Sequence, residues 1–168
     1  GKFGEIGSAI DRGRVFTLTG QELSIPHDEI EFSYRHSGLE HNVIVGAYFA
    51  LKQLPESQQP ALRERLLEVM AYKKGSQPMA ENSAGCCFKN AVHEGKLTSA
   101  GMLIDQAGCK GMAVGGAEVS HVHGNFLITR PGCKARDVID LMEKVRERVQ
   151  QRFGVHLQSE VAVWRRGG

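Results

Sequence analysis

The sequence lacks the features that mark membrane-spanning, disulfide-bonded and nucleic-acid-binding proteins. No apolar run in its 168 residues approaches the roughly 20 residues that span a membrane. Lysine and arginine total 21 against 19 acidic residues, and this net charge of +2 forms no basic stripe for nucleic acid. The four cysteines contain no CxxC pair, which favours a reducing, cytoplasmic compartment. With 41% hydrophobic and 24% charged residues, the composition is that of a soluble globular protein.

Hydrophobic periodicity predicts an α+β fold in which antiparallel sheets pack with two main helices. Strand-type residues on both sides of Thr19-Gly20 predict a hairpin. Further strands are predicted at residues 43–51, 125–129 and 155–164, long helices at 56–74 and 134–153, and a short helix at 98–107. Both long helices carry an apolar stripe, so both are expected in the core.

The helix ends also carry predictions. Gly75 is expected to end the first long helix, because glycine suits the position after the last helical turn. Lys134 is a poor cap and predicts a frayed start for the second long helix, and Thr98 or Ser99 is expected to cap the short helix.

Residues 82–90 follow no amphipathic period, and their composition indicates a site. Gly85 allows a close backbone approach and a tight turn that presents Cys86. Lys89 and Asn90 suit an anionic or polar group. The alternative is a buried strand end whose two cysteines pack as small hydrophobic residues.

Two other positions stand out from their surroundings. Glu160 interrupts an apolar stretch, where a carboxylate costs free energy unless it has a partner or a function. Tyr34 and Arg35 place a phenol and a guanidinium before an apolar strand, a pair that suits carboxylate recognition.

Two further chemistries use the same residue types. Cys86, Cys87, His121 and His123 are metal-ligand types, but their spacing matches no zinc pattern and adjacent cysteines rarely reach one tetrahedral ion. We therefore expect no metal site. A thiol nucleophile would pair Cys86 with a histidine base, although one neighbour among seven histidines carries little information.

A series of short stretches, in order along nearly the whole chain, carries a family resemblance. They are residues 1–6 (GKFGEI), 32–37 (FSYRHS), 77–78 (QP), 83–90 (SAGCCFKN), 100–108 (AGMLIDQAG), 115–120 (GGAEVS), 123–126 (HGNF), 153–155 (FGV) and 157–161 (LQSEV). Together they resemble the UDP-N-acetylenolpyruvoylglucosamine reductases (MurB), flavoenzymes of peptidoglycan synthesis and hence of cell wall biogenesis.

The resemblance implies a domain assignment. Residues 1–54 would be the C-terminal portion of the second FAD-binding domain, and residues 55–168 the substrate-binding domain. The family's FAD pyrophosphate-binding subdomain would precede this chain, so that the N-terminal half becomes a partner. We therefore expect the isolated chain to bind no FAD, to leave NADPH unoxidised, and to expose apolar surface near Phe3 and residues 43–49 that favours self-association.

The resemblance also implies a reaction and three catalytic residues. In the family, NADPH reduces FAD, the reduced flavin passes a hydride to C3 of the enolpyruvyl ether of UDP-N-acetylglucosamine, and a proton added at C2 completes UDP-N-acetylmuramate. By resemblance, Arg35 binds the enolpyruvyl carboxylate and stabilises the developing charge. Glu160 lies on the other side of the intermediate. Cys86 takes the place of the proton-donating serine, and a thiol, with a reference pKa of about 8.5, is a suitable general acid.

Binding positions complete what the resemblance implies. The substrate-binding residues would be Tyr34, Gln77, Lys89, Asn90 and His123, and the cofactor-binding residues Phe3, Gly4, Glu5 and Ile6. Phe3 departs from the family's usual tyrosine and lacks its hydroxyl group. The alternative function is a binding-only module: the isolated chain would hold a UDP-sugar without flavin and without turnover.

Overall fold

The computed structural model describes residues 4–164, which divide into two compact units, one ending at Leu66 and the other beginning at Leu67. Phe3, a predicted cofactor contact, lies outside the described residues. The predicted domain boundary between residues 54 and 55 stays a prediction. None of the helices within residues 4–164 is long and apolar enough to cross a membrane.

The first unit is built on a three-stranded antiparallel sheet. Its strands are β1 (Ile10–Thr17), β2 (Glu22–Pro26) and β3 (Asn42–Phe49), in the order β2-β1-β3. The predicted hairpin is confirmed, and Gly20 in its turn has φ 84°, a conformation that glycine adopts without strain. Val15 of the central strand is fully buried.

Strand β3 forms where it was predicted, but most of its apolar residues are exposed. The exposed ones are Val43, Ile44, Val45, Tyr48 and Phe49. The expected exposure of apolar surface at residues 43–49 is thereby confirmed, whereas the expectation near Phe3 lies outside the described residues.

Helix α1 (Gln59–Ser76) follows a short 3-10 helix at Glu56–Gln58, and the division between the two units falls within α1. It runs through Gly75, so the predicted end at that glycine is wrong; the Gln77 N–H still donates to the Lys73 carbonyl, and Pro78 follows. The predicted core position is also wrong, because no residue of α1 is buried.

The second unit contains a four-stranded antiparallel sheet, a two-stranded hairpin and two helices. In chain order its elements are β4 (Ser83–Cys86), β5 (Ala91–His93), β6 (Lys96–Thr98), α2 (Ala100–Gln106), β7 (Ala113–Val114), β8 (Ala117–Val119), β9 (Phe126–Thr129) and α3 (Ala135–Phe153). The sheet order is β4-β9-β8-β7, and β5 pairs with β6. The antiparallel sheets and the predicted helices are confirmed.

Helix α3 supplies the centre of the hydrophobic core. Leu141, Val145 and Val149, spaced at helical intervals along one face, are completely buried. They belong to one cluster with Leu103 of α2 and Leu127 of β9. Each such side chain stabilises the fold by about 1.5–3 kcal/mol relative to full exposure.

The start of α3 is tied down rather than frayed. The Asp137 carboxylate accepts the Lys134 N–H at 3.0 Å and the Gly116 N–H at 3.1 Å. These two backbone hydrogen bonds lower the pKa of Asp137. The expected fraying at Lys134 is therefore wrong, because an acidic side chain three residues further on satisfies the backbone amide. At the other end, Gly154 has φ 67° and follows the last helical residue, Phe153, where the predicted range also ended.

The predicted strand at residues 155–164 is largely absent. Within the described residues this segment forms a single antiparallel bridge, between Ser159 and Phe88. Val155 and Leu157 are buried, but the alternation stops there, and residues 162–164 are exposed. Residues 159–161 are only partly buried, with Val161 against the core, so the segment lacks the fully buried face that favours a regular strand.

Candidate active site

The segment from Gly85 to Asn90 bends away from a regular strand at Gly85. That glycine has φ 82°, and the pairing of β4 with β9 is irregular between Ser83 and Cys86. A side chain at Gly85 would meet no atom within 4 Å, so its positive φ rather than crowding calls for glycine. Cys86 is half-buried at the end of the strand, directly after this bend.

Residues 87–89, which follow Cys86, form backbone hydrogen bonds along both of their edges. On one edge, the Asn125 carbonyl accepts the Cys87 N–H at 2.9 Å, and the Asn125 side chain pairs with Phe88. On the other edge, the Lys89 N–H donates to the Gln158 carbonyl at 2.9 Å. The Glu160 N–H donates to the Cys87 carbonyl at 2.8 Å. Glu160 therefore lies beside the segment that carries Cys86 and Lys89, although about seventy positions separate them along the chain.

The two adjacent cysteines have different environments. Cys87 is 2% exposed and belongs to the hydrophobic core. Burial raises the pKa of the Cys87 thiol to about 11, and nearby charge at Cys86 and Glu160 also raises it. The Cys87 thiol consequently stays protonated and packs as a small hydrophobic group, which leaves half-buried Cys86 as the thiol presented at the segment.

Asn90 has a structural role beside its predicted binding role. Its Oδ1 atom accepts the backbone N–H of Ala100, the first residue of α2, at 3.2 Å. Ser99 occupies the capping position as expected, but its side chain makes no capping hydrogen bond. A side chain ten residues earlier in the chain thus supplies an acceptor at the start of α2 and connects that helix to the candidate site.

The ring of His123 is packed and neutral. Its Nδ1 atom accepts the Asn125 N–H at 3.1 Å, and its ring meets Phe126 edge-on at 4.9 Å between centroids. A side chain at Gly101 would come within 2.7 Å of the ring, so that glycine is what leaves space for it. Burial lowers the pKa of His123. Any contact of His123 with substrate would therefore be a hydrogen bond rather than a charge interaction.

The other residues predicted to bind the substrate or its carboxylate lie outside the segment 86–90 and its neighbours. Gln77 is half-buried directly after α1. Tyr34 and Arg35 lie together in a turn of the first unit, with the Arg35 guanidinium 5.4 Å from the centre of the Tyr34 ring. Arg35 has φ 59°, a left-handed conformation that costs a residue with a side chain about 1–3 kcal/mol and that is frequent at functional sites.

The structure thus brings together several predicted residues of the second unit through the segment 86–90 and its two neighbours. They are Cys86, Lys89, Asn90, His123 and Glu160. Tyr34 and Arg35 are together in the first unit. The predicted roles of all these residues stay predictions.

Asn125 contributes to the site but was missed as a site residue. It and Ser120 are the buried polar residues of the described part of the chain. The available signal was an amide at the start of the apolar run 126–129, the same kind of anomaly that singled out Glu160.

Metal chemistry gains no support from the described geometry. No group of three or more histidine, cysteine, aspartate or glutamate side chains in residues 4–164 is arranged to hold an ion. His121, one of the residues considered as a ligand, instead faces Glu118 at 3.4 Å.

Residues 77–164 match the family model described as UDP-N-acetylenolpyruvoylglucosamine reductase, C-terminal domain. The chain belongs to this family. Similar full-length proteins carry the name UDP-N-acetylenolpyruvoylglucosamine reductase. The protein from Moorella thermoacetica is 36% identical over 98% of this chain and 52% of its own length. The protein from Rhodopseudomonas palustris is 39% identical over 94% of this chain and 49% of its own length.

A solved structure is similar as well. The crystal structure of UDP-N-acetylenolpyruvylglucosamine reductase (MurB) from Thermus caldophilus matches with a TM-score of 0.75 and 34% identity. The match covers 95% of this chain and 55% of that one. The resemblance predicted from short stretches is therefore confirmed, and the chain spans about half the length of the relatives it matches.

Proposed function

We propose that this chain carries the substrate-binding part of a flavin- and NADPH-dependent reductase that converts UDP-N-acetylglucosamine enolpyruvate to UDP-N-acetylmuramate in peptidoglycan synthesis. Family membership supports the reaction class. One structural observation carries the site: the residues after Cys86 pair with residues 158–160, which sets Glu160 beside the same segment. Two groups that handle protons or charge are thus held on one hydrogen-bonded framework.

The residues of this chain would divide the chemistry between them. Bound FAD, reduced by NADPH, supplies the hydride. Arg35 binds the enolpyruvyl carboxylate and stabilises the negative charge that develops after hydride addition. The Cys86 thiol donates the proton at C2, with Glu160 on the other side of the intermediate. Lys89 places a cation for the diphosphate, while Tyr34, Gln77, Asn90 and neutral His123 supply hydrogen bonds to the substrate.

The described residues proposed for flavin contact fit a close approach from outside. Gly4 has φ 131°, and a side chain built there would meet no atom within 4 Å. Glu5 and Ile6 are exposed. A ligand such as flavin could therefore approach the backbone closely at Gly4.

The exposed residues of β3 support a partner surface. We propose that they dock against the N-terminal FAD-binding half that the family resemblance implies. Val43, Ile44, Val45, Tyr48 and Phe49 form a run of exposed large apolar side chains, which is unusual for a surface facing water.

The four free cysteines fit a reducing compartment, and we place the enzyme in the cytoplasm.

The two half-reactions of the complete enzyme test this proposal through Cys86. We expect Cys86→Ala to reduce flavin with NADPH at the parent rate, because that step needs no substrate proton. Oxidation of the reduced flavin by substrate should slow by about 10²–10⁴-fold, the usual effect of losing a positioned acid. Cys86→Ser should retain substantial turnover.

Cys87→Ala is the matched control, because Cys87 is a buried thiol in the same segment, next to Cys86. It should leave both half-reactions close to the parent rates while the protein remains folded. Substrate oxidation of flavin at the parent rate in Cys86→Ala would contradict the assigned role of the thiol. Binding of the UDP-sugar by the isolated chain, together with no reduction of the enolpyruvyl ether by the complete protein, would support the binding-only alternative.

A further inference from the structure

Asn125 directs all of its polar groups at neighbours within the candidate active site. Its backbone N–H donates to His123 Nδ1, and its carbonyl accepts the Cys87 N–H. Its side-chain Oδ1 accepts the Phe88 N–H at 2.9 Å, and its Nδ2 donates to the Phe88 carbonyl at 2.8 Å. The residue is 3% exposed. Each of these partners lies in a segment that carries a proposed site residue.

The carboxamide replaces a neighbouring strand at the point where the regular ladder stops. Cys86 is paired with Phe126, but Cys87 bonds to the Asn125 backbone and Phe88 bonds to the Asn125 side chain. The Phe88 N–H needs an acceptor and the Phe88 carbonyl needs a donor. An asparagine side-chain amide presents both without charge. Aspartate in the same place would keep the acceptor but set a carboxylate oxygen against the Phe88 carbonyl.

The side chain of Phe88 is anchored by packing. Phe88 is 1% exposed, and the Arg146 guanidinium lies 5.4 Å from the centre of its ring. Arg146 Nε also donates to the Leu157 carbonyl, close to the segment that carries Glu160. With the ring fixed in this way, the hydrogen bonds from Asn125 set the orientation of the Phe88 peptide and hence of the backbone on either side.

We propose that Asn125 is a positioning residue: its carboxamide holds the Phe88 peptide so that Cys86 and Lys89 keep the places from which they act on the substrate. The inference rests on the proposed function for its catalytic consequence. Its structural part, the hold on residues 86–89, stands on the hydrogen bonds alone.

Hydrogen exchange of this chain tests the structural part. Asn125→Ala should speed exchange of the Phe88 amide by at least about tenfold beyond the change in the other core amides, because this buried amide loses its acceptor, whereas the Lys89 amide keeps the Gln158 carbonyl. The control is Leu127→Ala. Leu127 is likewise 3% exposed and lies two residues further on, in β9. The Leu127→Ala variant should speed hydrogen exchange of all core amides by a similar factor. A uniform change in Asn125→Ala as well would overturn the proposal.

Half-reaction kinetics of the complete enzyme test the catalytic part. Asn125→Asp should slow flavin oxidation by substrate by about 10²-fold, the effect expected from a misplacement near 1 Å, and should leave reduction by NADPH unchanged. The rate should recover as pH falls, because a protonated aspartic acid regains the donor. Leu127→Ala should not show this split or this pH profile. Equal rates for Asn125→Asp and parent would overturn the positioning role.

The two experiments separate this inference from the proposed function. If the parent enzyme reduces no enolpyruvyl ether, the proposed function and the catalytic role of Asn125 fail together. The exchange result still decides whether Asn125 holds the segment. If the parent is active and the exchange change is local, but the half-reactions of the aspartate variant match the parent, only the positioning role is overturned.

Discussion

Helices α1 and α3 have nearly the same length, 18 and 19 residues, and opposite environments. Four residues of α3 are buried: Leu141, Met142, Val145 and Val149. No residue of α1 is buried, although Leu62, Leu66, Leu67 and Met70 are all large and apolar. Strands β9 and β3 repeat the contrast, because Phe126, Leu127 and Ile128 are buried whereas Val43, Ile44 and Val45 are exposed.

The contrast shows that an apolar pattern predicts a helix or strand but does not predict whether other parts of the chain bury its apolar face. The face of α3 packs with α2 and the sheet, and these partners come from the same unit. The proposed active-site segment joins this packed region through Cys87 and Phe88, which belong to the same core cluster. The site therefore rests on the part of the chain that is packed most completely, as the precise placement of catalytic groups requires.

Truncating matched leucines on the two helices should give the largest difference. Leu141 is fully buried and Leu66 is 57% exposed. We expect Leu141→Ala to lower the free energy of unfolding by about 2–5 kcal/mol, because it removes buried contacts and leaves a cavity. Leu66→Ala should change it by less than about 0.5 kcal/mol. Urea unfolding of both variants measures this, and equal losses would mean that α1 is as well covered as α3.

The adjacent residues Cys86 and Cys87 allow the same comparison of buried and less buried positions within one segment. Cys87→Ala should lower the free energy of unfolding by about 1 kcal/mol, because a buried sulfur loses its contacts. Cys86→Ala should cost less, since Cys86 is half-buried. A thiol reagent should modify Cys86 well before Cys87, whose pKa is raised to about 11 by burial. Peptide mapping after brief alkylation identifies the modified residue, and faster labelling of Cys87 would contradict this assignment.

The start of α3 should respond to pH through Asp137. Two backbone N–H groups lower its pKa, so the charged form favours the folded state. This contribution is fully present above the ordinary pKa of aspartate and is lost as pH falls through the lowered, folded-state pKa. The stability advantage of the parent over Asp137→Asn should therefore be largest at neutral pH and shrink below about pH 4. A difference that does not change with pH would show that the charge contributes nothing.

Strand β3 should give the smallest change in folding stability. Ile44 is 58% exposed, and Ile44→Lys should alter the free energy of unfolding by less than about 0.5 kcal/mol. Its effect should appear in association, because a charge interrupts the apolar surface. Sedimentation velocity of parent and variant over a range of concentrations compares them. A parent that stays monomeric throughout would remove the argument for a docking surface at β3.

Local sequence patterns account for most elements but not for the contacts that build the site. The hairpin around Gly20, both long helices and strand β9 follow from periodicity and turn residues. Three contacts join positions between 10 and 71 residues apart. They are the hydrogen bond of Asn90 to the start of α2, the hydrogen bonds of Asn125 to Phe88, and the bridge between Ser159 and Phe88. No local period encodes such contacts. Glu160 was found because a carboxylate in an apolar run is anomalous, and Asn125 offered the same signal.

The central claim is that the substrate is bound by the packed second unit around residues 86–90. A titration of the isotopically labelled chain with UDP-N-acetylglucosamine enolpyruvate, followed by backbone amide NMR shifts, tests it most directly. The account predicts the largest shifts at Cys86, Lys89, Asn90 and residues 158–160, with β9 itself little affected. Shifts confined to the exposed strands of the first unit, or none at saturating substrate, would contradict it.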